Sequence, residues 1–277
     1  MRNPFERPAY LERFQLKEPP YTTNPDERYL FLTDEHEEAI HMCGSIIANR
    51  QGIGLIVGEK GTGKTTIMRR LNSLMLGDGG FHIALIETAD HCPTIFQLVK
   101  DVLESFGQEC VGRDTKARTD QLKAYLLASY AAQKSCVLLI DEAQQMSSKL
   151  LESIRGLLNF EDPKLGGKLL QIILFGMPEI NRKLKRAHSL RNRLVKTELA
   201  KMSRRNMEAM LKWRFQQANG RLFPFEPAAI QTLFTVTQGN PRSVCGIAQV
   251  ALEYAGLREQ MITAEVIQTV AARRMLT

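Results

Sequence analysis

The sequence predicts an α/β fold: a parallel sheet covered by helices on both faces, followed by a small all-helical domain. Three observations carry that expectation. Short apolar runs alternate with helix-period segments through the first two thirds of the chain, and each run is apolar throughout, as strands buried on both faces are. The first run of this series leads into Gly58-Glu59-Lys60-Gly61-Thr62-Gly63-Lys64-Thr65-Thr66, the G-x-x-x-x-G-K-[ST] spacing, set between a strand and a helix as that spacing requires. From about Lys201 onward only helical periods remain.

In chain order, Phe14-Gln15-Leu16-Lys17-Glu18-Pro19-Pro20-Tyr21 reads as an extended stretch stiffened by its prolines. Tyr29, Leu30 and Phe31 are read as packing residues, with a place beside an adenine ring as the alternative. Thr33 as N-cap, with acids in the first turn, predicts a helix that runs into Ile46 and Ile47 and breaks near Gln51-Gly52. The apolar runs at 53–57, 82–86, 135–140 and 169–175, with a last short one near 194–199, are the predicted strands. Cys92-Pro93-Thr94 leads into a helix carrying Leu98, Val99, Val102 and Leu103 on its apolar side. Residues 107–119 are polar and read as an exposed loop before a helix at about 120–132. Leu150, Leu151, Ile154 and Leu157 mark another helix. Helices at 203–218, 226–236, 242–256 and 263–274 complete the chain, with Gly239-Asn240-Pro241 among their breaks. The expected division is an N-terminal segment 1–45, an α/β core 46–200 and a helical lid 201–277.

The glycine-rich run gives the chemistry. Glycines allow a tight turn, so that successive backbone N–H groups of Gly58, Gly61, Thr62, Gly63 and Thr66 can face phosphate oxygens at a helix N-terminus. Lys64 would reach the β- and γ-phosphates of ATP, and the Thr65 hydroxyl would ligate Mg²⁺. The strand at 135–140 ends in Asp141-Glu142. Asp141 is expected to hold Mg²⁺ through water and Glu142 to polarise the attacking water, the two tasks that phosphoryl transfer requires.

Composition narrows the setting. The chain has 277 residues, 44% hydrophobic and 24% charged, with a formal net charge of +7. No apolar run approaches a membrane span, and the charged N-terminus lacks the apolar stretch of a signal peptide. Five cysteines at 43, 92, 110, 136 and 245, none spaced C-x-x-C, suggest reduced thiols in a cytoplasmic protein without a zinc site. Between Arg182 and Arg205 ten basic residues face the single acid Glu198. That clustering favours a polyanion or an intersubunit role over a merely solvated surface.

The motifs and their order resemble the AAA+ P-loop NTPases, a core with a small all-α lid. Within that family the chain is similar to the ExeA-like secretion ATPases and to transposition regulators of the TnsC and MuB type. The resemblance rests on FQLKEPPYTTNPDERYLFLTDEHEEAI at 14–40, GEKGTGKTT, LLIDEAQ, LLQIILFGMPEI, LRNRL and GNPR, and it covers residues 14–275. It implies that Arg242 is a sensor-2 arginine reaching the phosphates, with a surface arginine at a helix start as the alternative. It also implies that Arg193, or failing that Arg191, is an arginine finger supplied to a neighbouring subunit, unless both belong only to a basic surface. One position departs from the pattern: where the secretion-type sequence has Gly-Gln-Pro-Glu, this chain has Gly176-Met177-Pro178-Glu179. Methionine cannot orient water, so hydrolysis is expected to be slow, or another polar group, Asn159 being the candidate, to stand in.

The resemblance leaves three functional readings. The leading one is a regulator of transposition that forms a ring or helical filament of identical subunits on double-stranded DNA with ATP, and recruits a transposase with its target-selection proteins. The others are an ExeA-type secretion or pilus-assembly ATPase and a switch acting on protein partners only. The chain stops at Thr277 without the membrane span expected of the secretion type, which is why the first reading leads. Arg113, Lys116 and Arg118, and the turn His91-Cys92-Pro93, are the candidate DNA contacts, directed to the backbone and weakly sequence-specific; a solvated loop is the alternative.

Overall fold

A computed structural model of the chain describes residues 8–23, 26–87, 93–161 and 167–275. The elements begin with α1 (Ala9–Arg13), α2 (Asp34–Ala48), β1 (Ile53–Gly58), α3 (Lys64–Asp78) and β2 (Phe81–Ile86). They continue with α4 (Ile95–Ser105), α5 (Thr115–Ala131), β3 (Ser135–Ile140), α6 (Ser148–Leu157), β4 (Leu170–Gly176), α7 (Ile180–Leu184), α8 (His188–Arg191) and β5 (Val195–Leu199). Four helices close the chain: α9 (Arg204–Gln217), α10 (Pro227–Thr237), α11 (Pro241–Leu257) and α12 (Ala264–Met275).

The chain divides into two compact units, Asp34–Leu199 and the pair Met1–Thr33 with Ala200–Thr277. The expected boundaries need correction here. The helix α2 belongs to the α/β unit rather than to an N-terminal segment, and the residues before it belong to the helical unit.

In the α/β unit the five strands are all parallel, in the order β2-β3-β4-β1-β5. The predicted parallel sheet is therefore present, and β1 and β4 are buried along their whole lengths. Side chains alternate across the sheet. Leu55, Leu138, Ile140, Ile172 and Leu174 pack on one face with Leu98, Val102, Leu151 and Ile154 of α4 and α6. Ile56, Val137, Leu139, Ile173 and Phe175 pack on the other with Ile46, Ile67 and Met68 of α2 and α3. Each such side chain stabilises the fold by about 1.5–3 kcal/mol, which outweighs surface pairs such as Lys100–Glu104 at 3.5 Å, worth at most about 1 kcal/mol.

A second correction concerns 107–119. Asp114 caps α5, its carboxylate accepting from Ala117 N at 2.8 Å, so Lys116 and Arg118 lie in the first turn of a helix rather than in a loop.

The helical unit draws its core from both ends of the chain. Tyr10, Leu11, Leu16, Tyr21 and Tyr29 are buried with Met207, Leu211, Phe215, Ala248 and Leu252. The Tyr21 hydroxyl donates to Leu211 O at 3.1 Å, and Lys17 N donates to Ala218 O at 2.9 Å. Gly256 of α11 lets α1 approach, since a Cβ there would stand 2.4 Å from Tyr10 Cβ. Tyr29 is buried in this core and Phe31 lies 5.9 Å from the Trp213 ring, centroid to centroid, which fits the packing reading of 29–31.

Candidate nucleotide-binding site

The loop between β1 and α3 is built on backbone that only glycine tolerates without cost. Gly61 and Gly63 adopt positive φ of 85° and 103°. A side chain at Gly63 is excluded twice over, because its Cβ would also stand 2.5 Å from His36 Nε2. Gly63 is the N-cap of α3, so the first-turn N–H groups at Lys64, Thr65 and Thr66 have no carbonyl one turn earlier in the helix. They supply an electropositive rim of the kind that holds phosphate. The Thr62 hydroxyl donates to Glu59 O at 2.9 Å, and the buried Lys64 ammonium donates to Gly58 O at 2.8 Å and Glu59 O at 2.9 Å.

Asp141 directly follows β3, and β4 lies between β3 and β1. Two strand spacings are roughly 10 Å, too far for the strand ends to meet directly. Thr65, the second residue of α3, spans that gap: its hydroxyl donates to Asp141 Oδ2 at 2.7 Å, while Asp141 Oδ1 accepts from Glu142 N at 2.8 Å. Burial pushes the Asp141 carboxyl above its ordinary range, opposed by the Thr65 hydrogen bond and the Lys64 charge. A buried carboxylate of this kind gains from a cation. Among the described residues no group of three or more His, Cys, Asp or Glu gathers as a metal site. The Thr65–Asp141 oxygen pair fits Mg²⁺, a hard ion that keeps several waters and shares substrate phosphates.

Glu142 takes left-handed backbone, φ 51° and ψ 35°, and opens a short 3-10 turn Ala143–Gln145. The turn brings Gln144 back over the strand ends. Its carboxamide donates from Nε2 to Glu142 Oε2, and its Oε1 accepts from Met177 N at 2.9 Å. This corrects the expectation for Asn159, whose Oδ1 instead accepts from Arg193 Nη1 at 2.9 Å. The polar group beside Met177 is Gln144.

The structure thus brings together Gly58, Gly61, Thr62, Gly63, Lys64, Thr65, Asp141 and Glu142. Arg191 and Arg193 are exposed at and just after the end of α8. Arg242 is exposed in the first turn of α11, in the helical unit. Arg113 and Lys116 are exposed, but Arg118 is used internally: Nε donates to Gly112 O, Nη1 donates to Phe96 O, both at 2.9 Å, and the guanidinium lies 3.4 Å from the Phe96 ring centroid. A guanidinium so committed does not face outward to a duplex, and Arg118 is withdrawn as a DNA contact. His91 and Cys92 lie outside the described residues.

Sequence reasoning missed two residues. Gln144 closes the LLIDEAQ run two positions after the acidic pair, but only Asp141 and Glu142 of that run were given roles. His36 occupies the apolar stripe of α2, with Ala39, Cys43, Ile46 and Ile47, which was the available signal. It is buried behind the loop, with Nε2 2.9 Å from Thr62 O. Burial lowers its pKa below 6.5, against the opposing effects of the Thr62 carbonyl and Glu35. The folded state therefore binds fewer protons than the unfolded one at mildly acid pH. The resulting stability is complete above about 6.5 and is lost as pH falls below it through the lower folded-state value. The melting temperature is expected to fall as pH drops from 6.5 to 5.5 (roughly one unit below the ordinary histidine value), and His36→Gln to reduce that loss. Equal losses in both proteins would exclude His36 as the source.

A family model of an AAA domain matches residues 47–184. General secretion pathway protein A of Aeromonas hydrophila is 30% identical over 246 residues, 88% of this chain and 44% of that protein. The chain spans less than half the length of that curated relative. Among solved structures, the Aeropyrum pernix ORC2 protein in ADPNP–ADP complexes superposes with a TM-score of 0.66 at 15% identity, covering 93% of this chain and 71% of that one. Drosophila ORC bound to DNA superposes at 0.64 with 16% identity, over 99% and 70%. Identities this low speak for the fold.

Proposed function

We propose that this chain, an AAA+ ATPase of the ExeA-like group, binds and hydrolyses ATP to drive protein partners in a secretion or envelope-assembly step. The observation that carries the chemistry is the Thr65–Asp141 hydrogen bond at 2.7 Å, beside the buried Lys64. It joins the phosphate loop to the acidic strand end in one oxygen-lined site. The 30% identity to general secretion pathway protein A supports the ExeA-type reading over the transposition regulator that the sequence put first. The position of Thr277 carries no weight against it.

In this reading the loop N–H groups and Lys64 bind the β- and γ-phosphates. Thr65 and Asp141 would hold Mg²⁺, which when bound would supply neutralisation of the charge on the phosphate oxygens. Glu142 accepts a proton from water as its oxygen attacks the γ-phosphorus; the bond from that phosphorus to the β–γ bridging oxygen breaks, and ADP leaves. Arg193, with Arg191 as second choice, serves a neighbouring copy, and Arg242 senses the phosphates from the helical unit. Their exposure supports these roles. No helix among the described residues is long and apolar enough to cross a membrane. The thiols of Cys43, Cys136 and Cys245 are buried and free, which supports a reducing, cytoplasmic setting.

A second reading keeps double-stranded DNA as the surface for assembly, favoured by the exposed Arg113 and Lys116 and by the basic stretch 182–205. One experiment separates the two. Phosphate release and light scattering are followed with Mg·ATP, with and without random-sequence duplex. Nucleotide-gated self-association indifferent to DNA supports the ExeA-type reading. Filaments that require duplex transfer the proposal to the DNA reading, and absence of nucleotide binding defeats both.

A further inference from the structure

The turn after β3 and the chain leaving β4 are joined by more than packing. Gln144 is 7% exposed and uses both ends of its carboxamide, one on the Glu142 carboxylate and one on Met177 N–H. Only one orientation of the amide satisfies both neighbours, because a carboxylate accepts and a backbone N–H donates. Lys183 of α7 adds a second tie, donating from Nζ to Gln144 O and, at 2.9 Å, to Met146 O.

We propose that Gln144 is the positioning residue for Glu142, supplying through its carboxamide the link to the end of β4 that the Met177 side chain cannot make. The proposal rests on hydrolysis at Glu142. A carboxylate on a left-handed residue at a strand end has several rotamers open to it. The Gln144 N–H selects one, and the Met177 N–H fixes Gln144 in turn. Lys183 carries the same tie into α7 and so toward α8, where Arg191 sits. A movement of the segment after β4 would therefore turn the carboxylate with it, without any polar side chain at 177.

The test is Gln144→Met, which keeps length and volume and removes both hydrogen bonds. The expected result is a fall in kcat of about 10- to 100-fold, the scale on which a misplaced reacting group is felt. KM for ATP, ADP affinity and melting temperature should stay close to wild type. Gln144→Glu, which retains the acceptor for Met177 N but loses the donor, should fall with it. In a Glu142→Gln background Gln144→Met should add nothing further, as expected of two residues acting as one. An unchanged kcat, or a loss shared equally by binding and melting, overturns the positioning role while leaving the ATPase reading intact. If the wild type fails to hydrolyse ATP and Glu142→Gln changes nothing, both fall.

Discussion

Lys64→Ala is expected to weaken ATP binding by about 30- to 150-fold, the loss of about 2–3 kcal/mol that accompanies removal of one charge-assisted hydrogen-bonding partner. The ammonium is buried at the mouth of the loop and bonded to the carbonyls that end β1 and begin the loop. Those carbonyls lose a donor in the variant, so a modest fall in melting temperature should accompany the binding defect. The fold itself should persist, because the sheet around β1 is held by apolar contacts that Lys64 does not make. Titration with a fluorescent ATP analogue reads the effect directly. Unaltered affinity would place the phosphates elsewhere and end the assignment of the loop.

Glu142→Gln should separate binding from turnover. The amide has the shape of the carboxylate and can occupy the same backbone conformation, so the loop, Thr65 and Asp141 are left in place. It cannot accept the proton of the attacking water, and hydrolysis is expected to fall by about 10²- to 10⁴-fold. Nucleotide affinity should be retained. If ATP gates assembly, the variant should also hold the assembled form for as long as ATP is present, where Lys64→Ala forms none. Sedimentation of both proteins with Mg·ATP shows whether binding or hydrolysis governs the assembly. A variant that hydrolysed ATP at the wild-type rate would remove Glu142 from the mechanism.

The sheet could be read from the sequence because its strands state their burial locally: a run such as Leu170–Gly176 is apolar through nearly every position. The phosphate loop was legible for a similar reason, since its geometry demands glycine at fixed spacing. What escaped were features decided by distant partners. Tyr21 looks like part of a stiff linker until Leu211, 190 residues away, accepts its hydroxyl proton. The start of α5 was misplaced because Arg113 to Thr119 offers no apolar stripe, although Asp114 was present as a cap. Gln144 was overlooked in favour of Asn159 because only the left-handed turn at Glu142 decides which carboxamide arrives beside Met177. A single non-glycine residue at positive φ is not written in any local pattern.

Because the helical unit is assembled from both ends of the chain, its completion is delayed during synthesis. Residues before Asp34 emerge first, yet α9 and α11, against which Tyr10, Leu11 and Tyr21 are buried, follow only after the whole α/β unit. At about 5–20 residues per second the ribosome takes roughly 10–30 s to cross that interval. For that time a strip of tyrosine and leucine side chains waits without its partners, while the α/β unit already has all five strands of its sheet.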